Sequence, residues 1–297
     1  MSVNLPTHYV QQYSTNIALL LQQKGSKLRN AVSSGSYVGK QASPVDQFGS
    51  IEMQAVASRF APMGRVDVAT DRRWVFPSDF DLPQLIDSFD KLRLITDPTS
   101  AYVMNAVMAA GRQMDKLICT AFTGTAKTGE AGGTSTSFTS GNEVDVDVGG
   151  ANSKLNVAKI KAVKELMMAN HIDFDMEEAY IGITAADHAS LLNEVQVISS
   201  DFNGGGMVLQ QGKIDSFLGF KFIHCELIET QLAGTHEVTL PVWVKSGMHL
   251  GLWNDIENSV SQRNDLQGEP WQLYTKMTAG ATRLEEDRVY AIESYRA

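Results

Sequence analysis

The residues of this chain that could do chemistry fall into a few short clusters. Gly124-Thr125-Ala126-Lys127-Thr128-Gly129 has the composition of a phosphate-binding loop, with glycines for close backbone approach and a lysine for charge. Its order is wrong for that task, and no strand leads into it. Asp173, Asp175, Glu177 and Glu178 could hold a divalent cation, but the glycine and the spacing of a calcium loop are missing. A solvated turn is the better reading. Asp145 and Asp147 fall on one side of a short strand expected at Val144, Val146 and Val148, where a solvent-facing edge is favoured over a cation site. The six histidines (His8, His171, His188, His224, His236, His249) show no i,i+4 pair and no metal-ligand pattern. Cys119 and Cys225 are far apart in sequence, and each sits in apolar surroundings that fit a buried, reduced thiol. No nucleophile elbow, zinc-protease motif or Walker loop occurs. Neither a catalytic residue, nor a cofactor site, nor a metal site is expected. Trp74, Trp243, Trp253 and Trp271 stand in strand-like contexts that suit core or interface.

Composition narrows the classes further. The 297 residues carry 34 acidic and 25 basic side chains, a formal charge of −9. A protein that grips nucleic acid needs a basic face to displace counterions, and the densest basic run here is Arg72-Arg73. No apolar run approaches the ~20 residues of a membrane span. Ile17 to Leu21 is too short for the core of a secretory leader. A soluble protein that stays where it is made is the expectation.

Several elements must position whatever this chain does. Residues 1–44 are polar apart from one helical patch, Tyr9 to Leu28, and suggest an arm that needs a partner surface. Residues 47–78 suggest a long β-hairpin. Ile51, Met53 and Ala55 alternate with polar positions, Ala61-Pro62-Met63-Gly64 supplies the turn, Val66 and Val68 resume the pattern, and Trp74, Val75 and Phe76 extend the return strand. A two-stranded hairpin is marginal in water unless something covers it. A short amphipathic helix is expected over Leu82–Leu92. A long helix follows from Asp97 and Pro98, which suit its cap and first position, to Phe122, with Gly124 as its stop. At 1.5 Å per residue it spans roughly 38 Å. A second helix is expected over Ser153–Asn170, with Ser153 as its cap, and a short one over Ala185–Leu192. Strands are expected at Ala179–Thr184, Phe220–Glu226, Glu237–Val244, Gly247–Leu252, Trp271–Ala281 and Arg288–Tyr295, and a loop at Asn203–Gly206.

From Asp71 to Thr134 the sequence resembles a family of tailed-phage major capsid proteins. The shared features occur in order: Asp71-Arg72-Arg73, Asp90-Lys91, Asp97-Pro98, Gly111-Arg112 with Asp115, then a Thr/Gly-rich loop. The stretch from Gly280 to Val289 is similar to the same family's closing strands, and the likeness in order and length spans roughly residues 45–297. The resemblance implies an α+β, HK97-type capsid fold. Its parts would be an N-terminal arm (1–44), an extended loop (45–80) overlapping a neighbouring subunit, a peripheral domain (81–179 and 256–297) with a spine helix (97–122), and an axial domain (180–255).

The implied function is a structural one, in which the chain forms pentamers and hexamers of an icosahedral shell that encloses DNA without reading its sequence. It would assemble in the host cytoplasm and reside in the virion. Some shells of this fold lock themselves with Lys–Asn isopeptide bonds, using a lysine on the extended loop. No lysine occurs between Lys40 and Lys91, so that chemistry is not expected. Arg59, Arg65, Arg72, Arg73 and Trp74 of the hairpin become interface candidates, with Glu285, Glu286 and Asp287 as acids to meet on a neighbour. The short arm leaves no room for a fused scaffolding segment. A separate scaffolding protein and a portal are therefore implied partners, with a cement protein as a further one. Two rivals remain at this point: an encapsulin-like compartment shell, and a soluble enzyme with a dispersed site.

Overall fold

The computed structural model describes residues 22–55, 58–59, 64–86, 99–194, 197, 212, 214–234 and 236–296. Three sheets and one long helix organise them. A four-stranded sheet runs β1 (Ser33–Ser36), β12 (Met248–Gln262), β13 (Trp271–Arg283) and β4 (Ser78–Ile86) in that spatial order. A six-stranded sheet has the order β7 (Glu143–Val144), β14 (Val289–Tyr295), β11 (Glu237–Val244), β8 (Ala179–Ile183), β10 (Phe220–His224), β9 (Ser216–Phe217). A small sheet joins β2 (Ala42–Phe48), β3 (Thr70–Val75), β5 (Ala126–Thr128) and β6 (Thr134–Thr136). The helices are α1 (Thr99–Thr123), α2 (Val157–Ala169), α3 (Ala185–Leu191) and the single-turn α4 (Leu227–Gln231).

The core sits where α1 meets the six-stranded sheet. Met114, Ile118 and Phe122 of α1 pack with Ile160, Val163 and Met167 of α2 and with Ile181, Leu240 and Val242 of the sheet, all of them buried. Trp243 is the joint. It is fully buried, its ring lies 4.6 Å from Phe122 and 5.8 Å from Tyr180, and its indole N–H donates to Ala31 O at 2.8 Å. One side chain thus ties helix, sheet and the entering chain. Every residue of β8 is buried, as a central strand covered on both faces requires. Gly182 gives Ile228 and Pro241 their room, since a Cβ there would stand 2.6 Å from Ile228 Cδ1 and 3.1 Å from Pro241 Cγ.

The long helix is found where its apolar spacing places it, although Asp97 and Pro98 lie outside the described residues. Gly124 does end it, but by close approach: a Cβ there would stand 2.5 Å from Thr120 O, and the backbone does not need a left-handed φ. The other strands and α3 agree with expectation to within a residue or two, β12 excepted.

Other expectations need correction. The helix expected over Leu82–Leu92 is a strand up to Ile86, with residues 87–98 outside the description. Phe80, Leu82, Gln84 and Ile86 turn to one face and the segment pairs with β13 along its whole length, so cross-strand pairing overrides a pattern that also fits a helix. Pro83 is tolerated because β4 is an edge strand. The hairpin is paired only at its base, Ala42–Phe48 against Thr70–Val75, with one further bond from Gly49 N–H to Ala69 O. Residues 50–55 and 64–69 form no strand, and most of the expected turn is outside the description. The second helix begins at Val157, capped by Asn156, whose side chain accepts the Lys159 N–H at 2.9 Å. Ser153 instead donates to the carbonyls of Val146 and Val148. Only Glu143–Val144 of the strand expected to Val148 forms. Asp145 and Asp147 bend the chain by accepting the N–H groups of Asp147 and Asn152. Of the helical patch Tyr9–Leu28, only residues 22–28 are described, and they hold no helix; Asn203–Gly206 lies outside as well.

The six-stranded sheet recruits β7 and β14 beside strands of the 180–255 region, while β12 runs through residue 255 into the four-stranded sheet. The two closing strands separate, β13 to the four-stranded sheet and β14 to the six-stranded one.

Candidate assembly interface

The base of the hairpin is where the sequence-predicted site residues gather. Arg283 closes β13 and is wholly buried at the end of α1. Its Nη1 donates to Phe122 O at 2.7 Å, Gly124 O at 2.9 Å and Ala121 O at 3.4 Å, so a guanidinium serves the carbonyls that every helix leaves open at its C-terminus. Its Nε holds Glu286 at 2.6 Å. The other Glu286 oxygen meets Arg73 of β3 at 3.1 Å, and Arg73 is itself buried. Two guanidinium groups therefore share one carboxylate, tying the hairpin base, the 284–288 turn and the helix end. Burial holds the Arg283 guanidinium below its ordinary pKa, while Glu286 opposes that shift.

Arg73 and Glu286, expected to meet across subunits, are partners within one chain. Arg72 is paired in its own chain with Asp46 across the β2–β3 ladder and lies over the Trp74 ring at 5.7 Å. That contact holds the Asp46 carboxyl below its usual range. Trp74 is half-buried and donates to Gly129 O at 2.7 Å. Glu285 holds Arg288, and Asp287 accepts the Tyr290 hydroxyl through its carbonyl, leaving both side chains exposed. Arg59 and Arg65 stand on the exposed part of the hairpin, where Arg65 pairs with Asp67. Between the hairpin base (Phe48, Gly49, Ala69, Thr70) and the Leu284–Arg288 turn opens a groove of 720 Å³.

From the rim of that groove outward, the described part of the hairpin carries exposed apolar side chains. Phe48 is 73% exposed, Ile51 61% and Met53 102%, and Val66 and Val68 are also exposed. Large apolar side chains this open, four of them on backbone without a strand partner, mark a surface to be covered.

A second feature, singled out by resemblance but with no role read from the sequence, fixes the entering chain. Asp115 of α1 is fully buried, and its carboxylate accepts hydrogen bonds from the Gln23 amide, the Ser26 hydroxyl and the N–H groups of Lys27 and Leu28. Arg112 Nη1 donates to Gln22 Oε1 and Gln23 O. Gly111 lets the chain lie close, since a Cβ would fall 2.5 Å from the carbonyl carbon of Gly25. The Gly111-Arg112-Asp115 pattern is thus a clasp for residues 22–28. Gly111→Ala is expected to cost about 1–3 kcal/mol and to expose the clasped segment. Limited proteolysis should then cut near residues 22–28 faster in the variant than in wild type.

Further along the same segment, His249 of β12 anchors β1 from the buried side. Ser33 donates to Met248 O at 2.7 Å, so its oxygen accepts from His249 Nδ1 at 2.9 Å, and Nε2 accepts from the Tyr37 hydroxyl at 2.8 Å. The imidazole is neutral, and burial pushes its pKa down to about 4. The unfolded chain binds this proton near the ordinary histidine pKa. The folded chain therefore loses stability as pH falls from about 6.5 toward 4, on the order of 3 kcal/mol in all. His249→Gln should remove that part of the acid destabilisation, read as a smaller drop in melting temperature between pH 7 and pH 4.5.

The acidic turn at 173–178 is occupied by ion pairs: Glu177 meets Arg288 and Ser246, and Glu178 meets Lys221 and Tyr180. No group of three metal-binding side chains occurs among the described residues. Lys127 of the would-be phosphate loop lies in β5 and donates to Ser135. None of the helices among the described residues is long and apolar enough to cross a membrane.

A family model described as phage capsid protein matches residues 5–295. The chain belongs to the phage capsid protein family. Solved capsids share its fold over nearly the full length of both chains. The capsid of cyanophage P-SCSP1u aligns with a TM-score of 0.76 at 14% identity, covering 98% of this chain and 94% of that one. The cyanophage Pam1 capsid gives 0.74 at 10%, covering 100% and 99%. The capsid of a native GTA particle gives 0.69 at 11%, covering 99% and 98%. No curated protein matches the chain in sequence. At these identities the likeness is one of fold, the α+β HK97-type capsid fold. The family membership makes this a major capsid protein, a structural component of the phage shell located in the virion.

Proposed function

We propose that this capsid protein forms pentamers and hexamers of a closed icosahedral shell, each copy laying its segment 45–80 over a neighbour, and that it does no catalysis. The observation that carries this is the bare apolar run Phe48, Ile51, Met53, Val66 and Val68, which its own chain leaves uncovered. Full burial of such side chains contributes about 1.5–3 kcal/mol each, repeated at every contact around a capsomer. We assign the surface of Arg59, Arg65, Arg72, Trp74, Glu285 and Asp287 to the contact between copies. Arg73 and Glu286 hold the hairpin base in position for it.

The net charge of −9 suits enclosure of DNA without a grip on it. Assembly takes place in the host cytoplasm on a separate scaffolding protein, with a portal at one vertex, and a shell without isopeptide cross-links leaves a place for a cement protein. Within the subunit, the six-stranded sheet with β7 and β14 forms the axial domain, and the four-stranded sheet with α1 forms the peripheral domain.

Arg72→Glu tests the interface. Its pair with Asp46 is exposed and adds little to the monomer, so the variant should fold at near wild-type stability. Co-expressed with the scaffold it is expected to yield few or no shells by sedimentation. Shells at wild-type yield would remove Arg72 from the interface. Uniform shells from the wild-type chain alone would count against a separate scaffold.

A further inference from the structure

The base of the hairpin holds more positive charge than it balances. Arg73 is 5% exposed and Arg283 wholly buried, and the one carboxylate between them is Glu286. Two guanidinium groups against one carboxylate keep a unit of positive charge out of water. The hydrogen-bond count falls short in the same place. Arg73 Nε and Nη1 and Arg283 Nη2 are buried without an acceptor. Arg73 Nη2 stands 3.1 Å from Glu286 Oε1, yet the two are not aligned as a hydrogen bond, and that oxygen is unpartnered as well. Buried donors in folded proteins are nearly always satisfied, so an acceptor belongs here that the described residues do not supply. Arg73 and Glu286 both line the 720 Å³ groove between the hairpin base and the 284–288 turn, which gives an incoming group its way in.

We propose that this groove receives Glu52 of a neighbouring copy, whose carboxylate completes the Arg73–Glu286–Arg283 cluster. A neutral acceptor would satisfy the N–H groups and leave the charge, whereas a carboxylate answers both. Three of the other acids at the groove are already engaged. Asp46 pairs with Arg72, Glu285 pairs with Arg288, and Asp71 accepts the N–H groups of Arg72 and Gly129. Asp287 stays exposed at the rim, where a cation of the same incoming hairpin can meet it. Between Gly49 and Ala69 the hairpin carries two acids, Glu52 and Asp67. Asp67 is held by Arg65. Glu52 is exposed between Ile51 and Met53 and makes no ion pair among the described residues. It is the one carboxylate of the hairpin still without a cation.

The inference rests on the shell reading and gives its apolar contact a register. Glu52 enters the groove while Ile51 and Met53 close over the rim. Residues 50–55 are not held as a strand, so strict alternation does not send these side chains to opposite sides. Apolar cover excludes water from the ion pair and strengthens it relative to an open surface. A neighbour shifted along the groove would leave Arg73 without its acceptor and put Glu52 against apolar groups. The pair therefore selects one alignment of the two copies more than it adds to their affinity.

The test uses shells of the Arg73→Lys chain co-expressed with the scaffold, because a water-soluble carbodiimide joins an amine to a carboxylate that touches it. No lysine occurs between Lys40 and Lys91, so a link at position 73 is unambiguous. Treated shells are denatured, separated by size and mapped by mass spectrometry. A link from position 73 to Glu286 of the same chain is the internal reference for reactivity. The expected result is a link between positions 73 and 52 in bands of two or more chains. A 73–52 link confined to the monomer band, a link from 73 to another acid of the neighbour, or the 73–286 link alone would each overturn the inference. Glu52→Gln in the otherwise wild-type chain gives a second reading, since this exposed residue leaves the subunit fold intact. The concentration at which shells appear should rise about tenfold or more, with the urea midpoint of the subunit unchanged. An unchanged assembly threshold would likewise overturn the inference. Wild-type shells beside either negative result remove the Glu52 contact and leave the shell reading standing. A wild-type chain that forms no shell removes both.

Discussion

Replacing Arg283 by alanine is expected to lower the stability of the folded subunit by about 3–5 kcal/mol. The guanidinium is fully buried, donates to three carbonyls at the end of α1, holds Glu286 and lies 5.2 Å from the Phe138 ring. Alanine leaves the last carbonyls of a 25-residue helix without a donor and removes one of the two cations on a mostly buried carboxylate. Buried acceptors that lose their partner carry their full desolvation cost. Lysine in its place keeps the charge but cannot serve both the carbonyls and Glu286 from one fork, so its loss should be intermediate. Urea unfolding of the soluble subunit measures this. The midpoint should fall with the slope unchanged, in the order alanine, lysine, wild type. A urea midpoint unchanged from wild type for Arg283→Ala would contradict the capping role.

The second large effect is on assembly and spares the subunit. In Ile51→Asp with Met53→Asp, little burial within the chain is lost, because Ile51 is 61% and Met53 102% exposed. The stability of the subunit should therefore move by no more than about 0.5 kcal/mol. Covered by a neighbour, each aspartate would forfeit apolar burial of about 1.5–3 kcal/mol and bring an unpaired charge out of water. A loss of even 1.4 kcal/mol per contact weakens it about tenfold, and a closed shell multiplies the contact. Light scattering should show no shells at concentrations where wild type assembles, together with an unchanged urea midpoint. Normal assembly would mean that the bare run is covered by something other than a neighbouring copy.

What the sequence discloses and what it hides follows from where each signal resides. The long helix is legible because Val103, Val107, Met114, Ile118 and Phe122 repeat at its own period and Gly124 stops it. The strand β4 is not, since Phe80, Leu82, Leu85 and Ile86 fit a helical stripe as well as an alternating one, and only the ladder to β13 decides. The distal half of β12, from Asn254 to Gln262, is mostly polar and owes its extension to pairing with β13, a long-range fact.

The site shows the same division. Arg72, Arg73, Glu285 and Glu286 can be singled out by type and position, yet nothing local says that Arg73 and Glu286 find each other within one chain. Gly111, Arg112 and Asp115 stand out by resemblance. Their work in holding residues 22–28 is visible only when Gly25 and the N–H groups of Lys27 and Leu28 arrive against α1.

The most direct measurement is light scattering after gel filtration, with negative-stain electron microscopy of the same fractions, on the chain co-expressed with its candidate scaffolding protein. Capsomers and closed shells of uniform size are expected, with the bare hairpin surface covered by a neighbouring copy. Compact monomers alone, from a chain that is folded and at a concentration where related shells close, would contradict the proposed assembly.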